Sequence, residues 1–600
     1  MIPLWNGFNR DSEILCIISM SEWSDNTVEE LKQELRSRGM SVSGKKADLV
    51  LRLNEASASV GVVEAEIIGM TEEKANSTNS DNVLLFIRER VRTKFSASMI
   101  VLIIIIGFTG GGFVLGPDLV KWIKGDDDYQ LIDFDQNQTR AYAEGLVNLG
   151  HPEWGGRLAG TVEEENAAQS IKTNFSNSGI PSTIEEFEIP IYYMGNQFDL
   201  MICQPGNIGE LLGGPSPCST ADLNRQETDF VHTVDFVVQG YSGSVNIPAS
   251  SNTQVVDLGI GNESENWGSA SNGVGIVWLL DGEEGEPGTE SNTVLMKRAQ
   301  ENSLRGLITI NSRQNCDDLV SGDCVPYSKS LDITEFEEKP YNIGFVMVSR
   351  SVGESILEEV VNGAGMLQFQ VDVDNQDEGQ IHVVCGIIQG ETDELIVIGA
   401  HHDTVYNGQG AVDNTAGTAT VQEIARQIAL FESEFGPPKM TIYFCTWGGE
   451  EGGLWGSKEW VDKHRENLEE NLRLYINLDM NHVDAERNDG VTLQGNSLTD
   501  VRHIKGLVEE FSITHPGLYE KYSITVRELE SEQMPDNSDH APFVFEIHQD
   551  EDEFGLAMLC YGSGSSEYHT YLDNMERFNE ESLAVSGILY GSLARHLAWS

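Results

Sequence analysis

After Glu394 the chain runs Leu-Ile-Val-Ile-Gly399 without a polar side chain and then breaks into Ala400-His401-His402-Asp403-Thr404. A short, β-branched, wholly apolar run reads as a strand buried on both faces, and therefore as a parallel strand in an α/β sheet. In such sheets the reacting groups collect outside the carboxyl ends of the strands, which is where His401 and Asp403 stand. Gly410-Ala-Val-Asp413-Asn414 follows, just ahead of the helical pattern Thr415-Ala-Gly-Thr-Ala-Thr-Val-Gln-Glu-Ile-Ala-Arg426. Asp413 is expected both to cap that helix and to face a cation.

Three more strands end in similar chemistry. Met440-Thr-Ile-Tyr-Phe-Cys-Thr-Trp447 gives way to Gly448-Gly449-Glu450-Glu451, Leu472 to Asn477 is followed by Asp479, and Leu556-Ala-Met-Leu-Cys-Tyr561 leads to Tyr568-His569-Thr570 and Asp573. The four ends deliver His401, Glu451, Asp479 and His569 around Asp413. Adjacent carboxylates on a glycine turn can divide the work, one binding metal while its neighbour moves protons. Nitrogen and oxygen donors of this kind suit zinc. Two histidines and three acids exceed the needs of one tetrahedral catalytic ion and suit two Zn2+ per chain, with Asp413 bridging. The expected reaction is a two-metal hydrolysis.

Six hundred residues are too many for one core, so several folded units are expected. A formal net charge of -58 excludes nucleic-acid binding by the bulk of the chain, and suits a protein kept hydrated in high salt. Among eight cysteines, Cys203 with Cys218 and Cys316 with Cys324 flank loops and are each placed to close a local bridge. Such bridges require an oxidising compartment. Cys385, Cys445 and Cys560 lie in apolar runs and read as buried free thiols.

Residues 1–26 read as an N-terminal extension without the pattern of a secretory signal, with translation expected to start at Met20. Residues 27–57, with Leu31, Leu35, Gly39 and Ser43-Gly-Lys-Lys-Ala-Asp-Leu49, resemble a SAP domain, a small helical module. Lys32, Arg36, Arg38, Lys45, Lys46 and Arg52 there are candidates for nucleic-acid phosphates, against a plain protein-interaction or spacer role, since Glu29, Glu30, Glu34 and Asp48 offset them. Residues 58–94 read as a linker and a basic juxtamembrane segment, and 95–117 as a transmembrane helix. The cluster Arg88, Arg90, Arg92 and Lys94 keeps the N-terminus cytoplasmic, which predicts a single-pass cell-membrane protein with its C-terminal domain extracytoplasmic. Residues 130–200 and 370–600 are assigned to the domain that carries the strand-end cluster. Between them, 201–369 holds short strands and a helix, and resembles a protease-associated insert.

His401-His402-Asp403, Asp413-Asn414, Gly449-Glu450-Glu451, Leu478-Asp479, Ser538-Asp539-His540-Ala541-Pro542-Phe543 and Tyr568-His569 together resemble the zinc metallopeptidases of the aminopeptidase Y, glutamate carboxypeptidase and transferrin receptor family. The fold this implies is α/β, a mixed, mostly parallel sheet with a β-rich protease-associated insert, preceded by the SAP-like module and the membrane helix. The resemblance implies that His401 and Asp479 complete one zinc site and Glu451 and His569 the other, with Asp413 shared. It implies Glu450 as general base, Asp403 as the group that orients His401, and Tyr568 as hydrogen-bond donor to the oxyanion. His402 is expected to be a packed neighbour, Asp539 and His540 to support the pocket, and His464 and His482 to lie on the surface. The function implied is a membrane-anchored exopeptidase, foremost an aminopeptidase, acting on extracytoplasmic peptides. The alternatives are a non-catalytic receptor or scaffold, and a SAP-mediated nucleic-acid tether at the membrane. After His569 the resemblance finds no place for the helical dimerisation domain of glutamate carboxypeptidase, so the oligomeric state stays open, as does the preferred terminal residue.

Overall fold

The computed structural model describes residues 129–600, apart from 207–216, 263, 283–287, 317–321, 486, 551 and 563–566. Eight strands make the central sheet: β1 (Ser182–Met194), β2 (Val373–Ile388), β3 (Leu395–His401), β4 (Thr441–Trp447), β5 (Leu472–Leu478), β6 (Gly490–Gly495), β7 (Ser523–Glu528) and β8 (Ala557–Tyr561). Their spatial order is β1-β2-β4-β3-β5-β8-β6-β7. β4, β3, β5 and β8 lie parallel side by side, with β2 antiparallel to β4 on one flank and β6 antiparallel to β8 on the other. All seven residues of β3 are buried, as its apolar run requires.

Alternation along β3 sends Ile396 and Ile398 to one face and Val397 to the other. The first pair packs with Ile171, Phe175, Val421, Ile428, Ile504 and Leu589 from helices, while Val397 packs with Tyr475, Trp460 and Phe543. The helix Ala416–Phe435 presents Val421, Ile424, Ala425 and Ile428 as a buried stripe at helical spacing. It stops at Gly436, whose φ of 88° only glycine adopts without strain. Asp413 does not cap this helix: Thr415 occupies the N-cap position, and Asn414 Oδ1 accepts from Gly417 N at 3.0 Å. Asp413 faces the strand ends instead.

Between β1 and β2 the chain builds two smaller sheets. One has the order 226–230, 199–204, 366–371, 245–247, and the other 236–238, 344–348, 306–311, 274–279, 255–257. The strands Asp199–Gln204 and Met366–Val371 pair antiparallel, so the segment leaves and re-enters the main sheet at one neck. Disulfides join Cys203 to Cys218 and Cys316 to Cys324. A third, Cys385 to Cys445, corrects the expectation of free thiols there, because β2 and β4 pair with these two residues directly opposite. Cys560 is free and buried.

The expected membrane helix also requires correction. Among the described residues no helix is long and apolar enough to cross a membrane. The two longest, Ala416–Phe435 and Glu580–Trp599, carry Glu423, Arg426, Glu580, Glu581 and Arg595 and give most of their apolar residues to the protein core. The segment 95–117, with the extension, SAP-like module and linker before it, lies outside the described residues. The membrane as a partner, the single-pass cell-membrane location and the anchored form of the function are accordingly dropped.

Candidate metal centre

Asp413 stands between two imidazoles. Its Oδ1 is 3.2 Å from His401 Nε2 and its Oδ2 is 3.1 Å from His569 Nε2. Asp479 Oδ1 joins the first imidazole at 3.4 Å, and Glu451 Oε2 joins the second at 3.0 Å. His401, Asp413 and Asp479 thus form one group able to hold an ion, and Asp413, Glu451 and His569 another; a further grouping of His401 with Glu450 and Glu451 overlaps both. The sheet brings these residues together because β3, β4 and β5 end at one level, and the turn after β4 swings back on Gly449 at a φ of 80°.

Each group is held from behind. His401 Nδ1 donates to Asp403 O at 3.1 Å. The Asp403 carboxylate lies 3.6 Å from the same nitrogen and accepts the amides of Glu450 and Glu451, at 3.2 and 3.4 Å. It therefore fixes the second strand end as well as flanking the imidazole. Asp479 Oδ2 terminates a directed chain: Trp447 Nε1 donates to Tyr475 OH, Tyr475 OH to Asn477 Oδ1, Asn477 Nδ2 to Ser538 Oγ, and Ser538 Oγ to Asp479 at 2.6 Å. Gly399 leaves room for it, since a Cβ there would sit 2.5 Å from Tyr475 OH. Asp573 accepts from Val412 N and Asp413 N at 2.8 and 3.0 Å and so aims Asp413. His569 Nδ1 donates to Ser328 O at 2.7 Å.

Burial opposes charge on both imidazoles, yet the carboxylates win. Glu450 and Asp479 hold His401 well above the ordinary histidine range, and Glu451 and Asp413 push His569 up to about 10. For Asp413 burial is likewise overcome, by its bonds to His401 and His569, which hold it below the usual carboxylate range. Burial keeps Glu450 well above the usual range, against the pull of His401. A buried cluster that retains protons this firmly is short of positive charge, which divalent cations supply. The donors fit such ions: imidazole nitrogens and carboxylate oxygens, with Asp479 Oδ1 and Glu451 Oε1 buried and lacking a hydrogen-bond partner. Two metal sites that share Asp413 result, the arrangement of a dinuclear zinc centre.

Tyr568 stacks on His569, ring centroids 3.7 Å apart at 17°. Burial and then Asp413 and Glu451 raise its pKa well above that of a free tyrosine, so its hydroxyl remains a donor. His402 is fully buried and pairs with Glu164 at 3.0 Å; the other Glu164 oxygen meets His382 at 2.8 Å. Ser457 donates to Asp539 at 2.6 Å, and His540 Nε2 donates to Pro535 O at 2.7 Å. Two surface expectations are revised. His464 is partly covered and pairs with Glu185 at 3.0 Å, while His482 is 1% exposed and accepts from Asn579 N at 2.9 Å. Sequence reasoning missed Glu164, Ser328, Asn315 and Asn407, and noted Ser538 and Asp573 without a role. Arg157 had only its Gly-Gly-Arg-Leu-Ala-Gly-Thr161 setting as a signal. It is buried and donates to His402 O, Gln409 O and Thr415 Oγ1 at 3.1, 3.0 and 2.7 Å, tying the β3 end to the Asp413 turn.

Residues 383–592 match the model of peptidase family M28, and residues 23–57 that of the SAP domain. The chain is 29% identical over 293 residues, 46% of its length, to the probable glutamate carboxypeptidase LAMP1 of Arabidopsis thaliana, covering 40% of that protein. It is 40% identical over 100 residues, 16% of its length, to the aminopeptidase NAALADL1 of Rattus norvegicus, covering 13% of it. It thus spans less than half the length of either relative. In fold it is similar to a zinc aminopeptidase from Bacillus subtilis, with a TM-score of 0.55 at 17% identity over 78% of this chain and 97% of that one. The match to peptidase family M28 lies over the residues that converge on Asp413, and the match to the SAP domain lies near the N-terminus.

Proposed function

We propose that the protein is a co-catalytic two-zinc exopeptidase, foremost an aminopeptidase. It would belong to the aminopeptidase Y and glutamate carboxypeptidase branch, with residues 130–200 and 370–600 as peptidase domain and 201–369 as a protease-associated insert. The observation that carries the reading is Asp413, whose two oxygens address two imidazoles at 3.2 and 3.1 Å. His401 and Asp479 would hold one ion, Glu451 and His569 the other, and Asp413 would contribute to both. When bound, the zinc pair lowers the pKa of a water and polarises the scissile carbonyl. Glu450 takes the proton from the attacking water and returns it to the departing amine. In the metal-free cluster burial raises the pKa of Glu450, the direction that helps a carboxyl group hold and return a proton. The Tyr568 hydroxyl donates to the oxyanion of the tetrahedral carbon. Asp403 keeps Glu450 and Glu451 in register through their amides.

The charge field supports an amino-terminal substrate. Asp403, Asp413, Glu450, Glu451, Asp479 and Asp539 converge on the site, while the Arg157 guanidinium spends its donors on carbonyls and Thr415. Two divalent cations offset the ligand charges, and the acids not used as ligands, Asp403, Glu450 and Asp539, are left to favour a substrate ammonium over a carboxylate. The test is hydrolysis of aminoacyl-nitroanilides beside their N-acetylated forms. The free-amine substrates are expected to be cleaved, with activity lost to a chelator and restored by zinc, and the acetylated forms to resist. The similarity to a probable glutamate carboxypeptidase favours a second reading, cleavage at the carboxyl end. Release of the terminal residue from N-blocked dipeptides, without cleavage of the nitroanilides, would replace the first reading by the second.

A further inference from the structure

His569 is carried by no strand, and its backbone φ is 58°. A residue other than glycine holds that left-handed conformation only where its surroundings over-determine it. The surroundings here come from two parts of the chain. From the peptidase side, Asn407 Nδ2 donates to His569 O at 3.1 Å. From the inserted segment, Ser328 N donates to the same carbonyl at 3.1 Å, and His569 Nδ1 donates back to Ser328 O at 2.7 Å. Asn315 Nδ2 donates to Tyr568 O at 2.9 Å, one residue earlier. Ser328 is itself fully buried, with its hydroxyl on Val238 O at 3.2 Å, and the Cys316–Cys324 disulfide closes the loop that separates Asn315 from Ser328.

The reciprocal bond does chemical as well as mechanical work. A carbonyl oxygen can only accept, so Nδ1 of His569 carries a proton, and Nε2 is the nitrogen left to ligate an ion once the ion displaces its own proton. Nε2 is the atom that faces Asp413 and Glu451, at 3.1 and 3.0 Å. His401 meets the same requirement within its own strand end, through Asp403 O. His569 meets it only by reaching into the insert.

We propose that the inserted segment is a working part of the metal centre: Ser328 and Asn315 are positioning residues for His569, and the ion held by His569 and Glu451 is bound tightly only while the insert is docked. The inference rests on the two-ion reading above, and its test separates the two. Zinc content and stepwise zinc affinity are measured, by metal analysis and by titration against a chromophoric chelator, on the full chain and on four variants. These are His569→Ala, Asn315→Ala, Ser328→Pro, which deletes the N–H donor, and Cys316→Ser with Cys324→Ser. Loss of an outer partner of a ligating histidine typically weakens metal binding about 10–100-fold. Asn315→Ala and Ser328→Pro are expected to weaken one ion by that range and leave the other at the affinity of the parent chain. Their kcat should recover in excess zinc with KM unchanged, which damage to the fold would not allow. The cysteine pair should show the same selectivity at the lower end of the range. If Ser328→Pro does not fold, Asn315→Ala and the cysteine pair decide. The proposal is overturned if His569→Ala loses one ion while Asn315→Ala and the cysteine pair keep both at parental affinity. Retention of both ions by His569→Ala would instead remove the two-ion reading, and the proposal with it.

Discussion

The two halves of the metal centre are alike in donor set and unlike in support. His401 and Asp479 sit at the ends of adjacent parallel strands; of their partners, Asn477, Tyr475 and Trp447 are in the sheet itself, Asp403 follows just after β3, and Ser538 lies in the bend just before the helix His540–Phe545. His569 and Glu451 sit on turns, and His569 borrows its fixing bonds from Ser328 and Asn407. A strand end is rigid because its ladder is hydrogen-bonded on both sides. A loop becomes rigid only by being clamped. The His401 half is therefore preformed with the sheet, whereas the His569 half is assembled by contacts distant in sequence, and the substitutions that follow probe that difference.

The largest effect is expected where the halves meet. Asp413→Ala removes an oxygen from each site, so bound zinc should fall for both ions and activity should drop below that of any other single variant; retention of both ions would mean the halves are independent. Next comes Glu450→Gln, which on the proposed mechanism removes the proton carrier and no ligand. It should lower kcat about 10²–10⁴-fold, the usual worth of general acid-base assistance, while both ions stay bound. If zinc were lost with it, Glu450 would be a ligand and the division of labour with Glu451 wrong.

Ser538→Ala sharpens the contrast from the sheet side. It cuts the last link of the chain to Asp479 Oδ2, and should weaken only the ion of the His401 half, by about tenfold, the lower end of what outer partners contribute. Equal weakening of both ions would show that the halves are not separately supported.

The last effect is one of acid, and it falls on stability and leaves the metal-bound enzyme's chemistry aside. His482, in the loop after β5, is buried, and burial lowers its pKa to about 4. Its Nε2 accepts the Asn579 amide and has no lone pair to offer once protonated. The folded pKa lies below the unfolded value of about 6.5, so the unfolded chain takes up the proton first as pH falls. Stability is full above that value and should be lost progressively between about 6.5 and 4, by on the order of 3 kcal/mol. Thermal unfolding of the metal-free protein, with His482→Gln as the flat reference, would show it. A pH-independent difference between the two would contradict it.

What was legible in the sequence follows the same division. β3, β4 and β5 announce themselves as apolar runs that stop at His401, Glu450-Glu451 and Asp479, so residue type and position coincide. Ser328 gives no such sign, because it acts through its main chain and any residue but proline could supply those groups. Glu164 stands among three acids in the first turn of a helix, with nothing local to single it out; only the approach of His382 and His402, far along the chain, explains its burial. Cys385 and Cys445 read as packed thiols because their pairing depends on the β2–β4 register, which no local pattern states. The apolar stretch at 95–117 obeys the length rule for a membrane helix, yet the described fold contains no such element.

The central claim is that Asp413 joins two ions, and anomalous diffraction from zinc-loaded crystals tests it most directly. Two peaks are expected, one touching His401 and Asp479, the other His569 and Glu451, with one Asp413 oxygen on each. A single peak in fully loaded protein, or two peaks of which one lies away from Asp413, would contradict it.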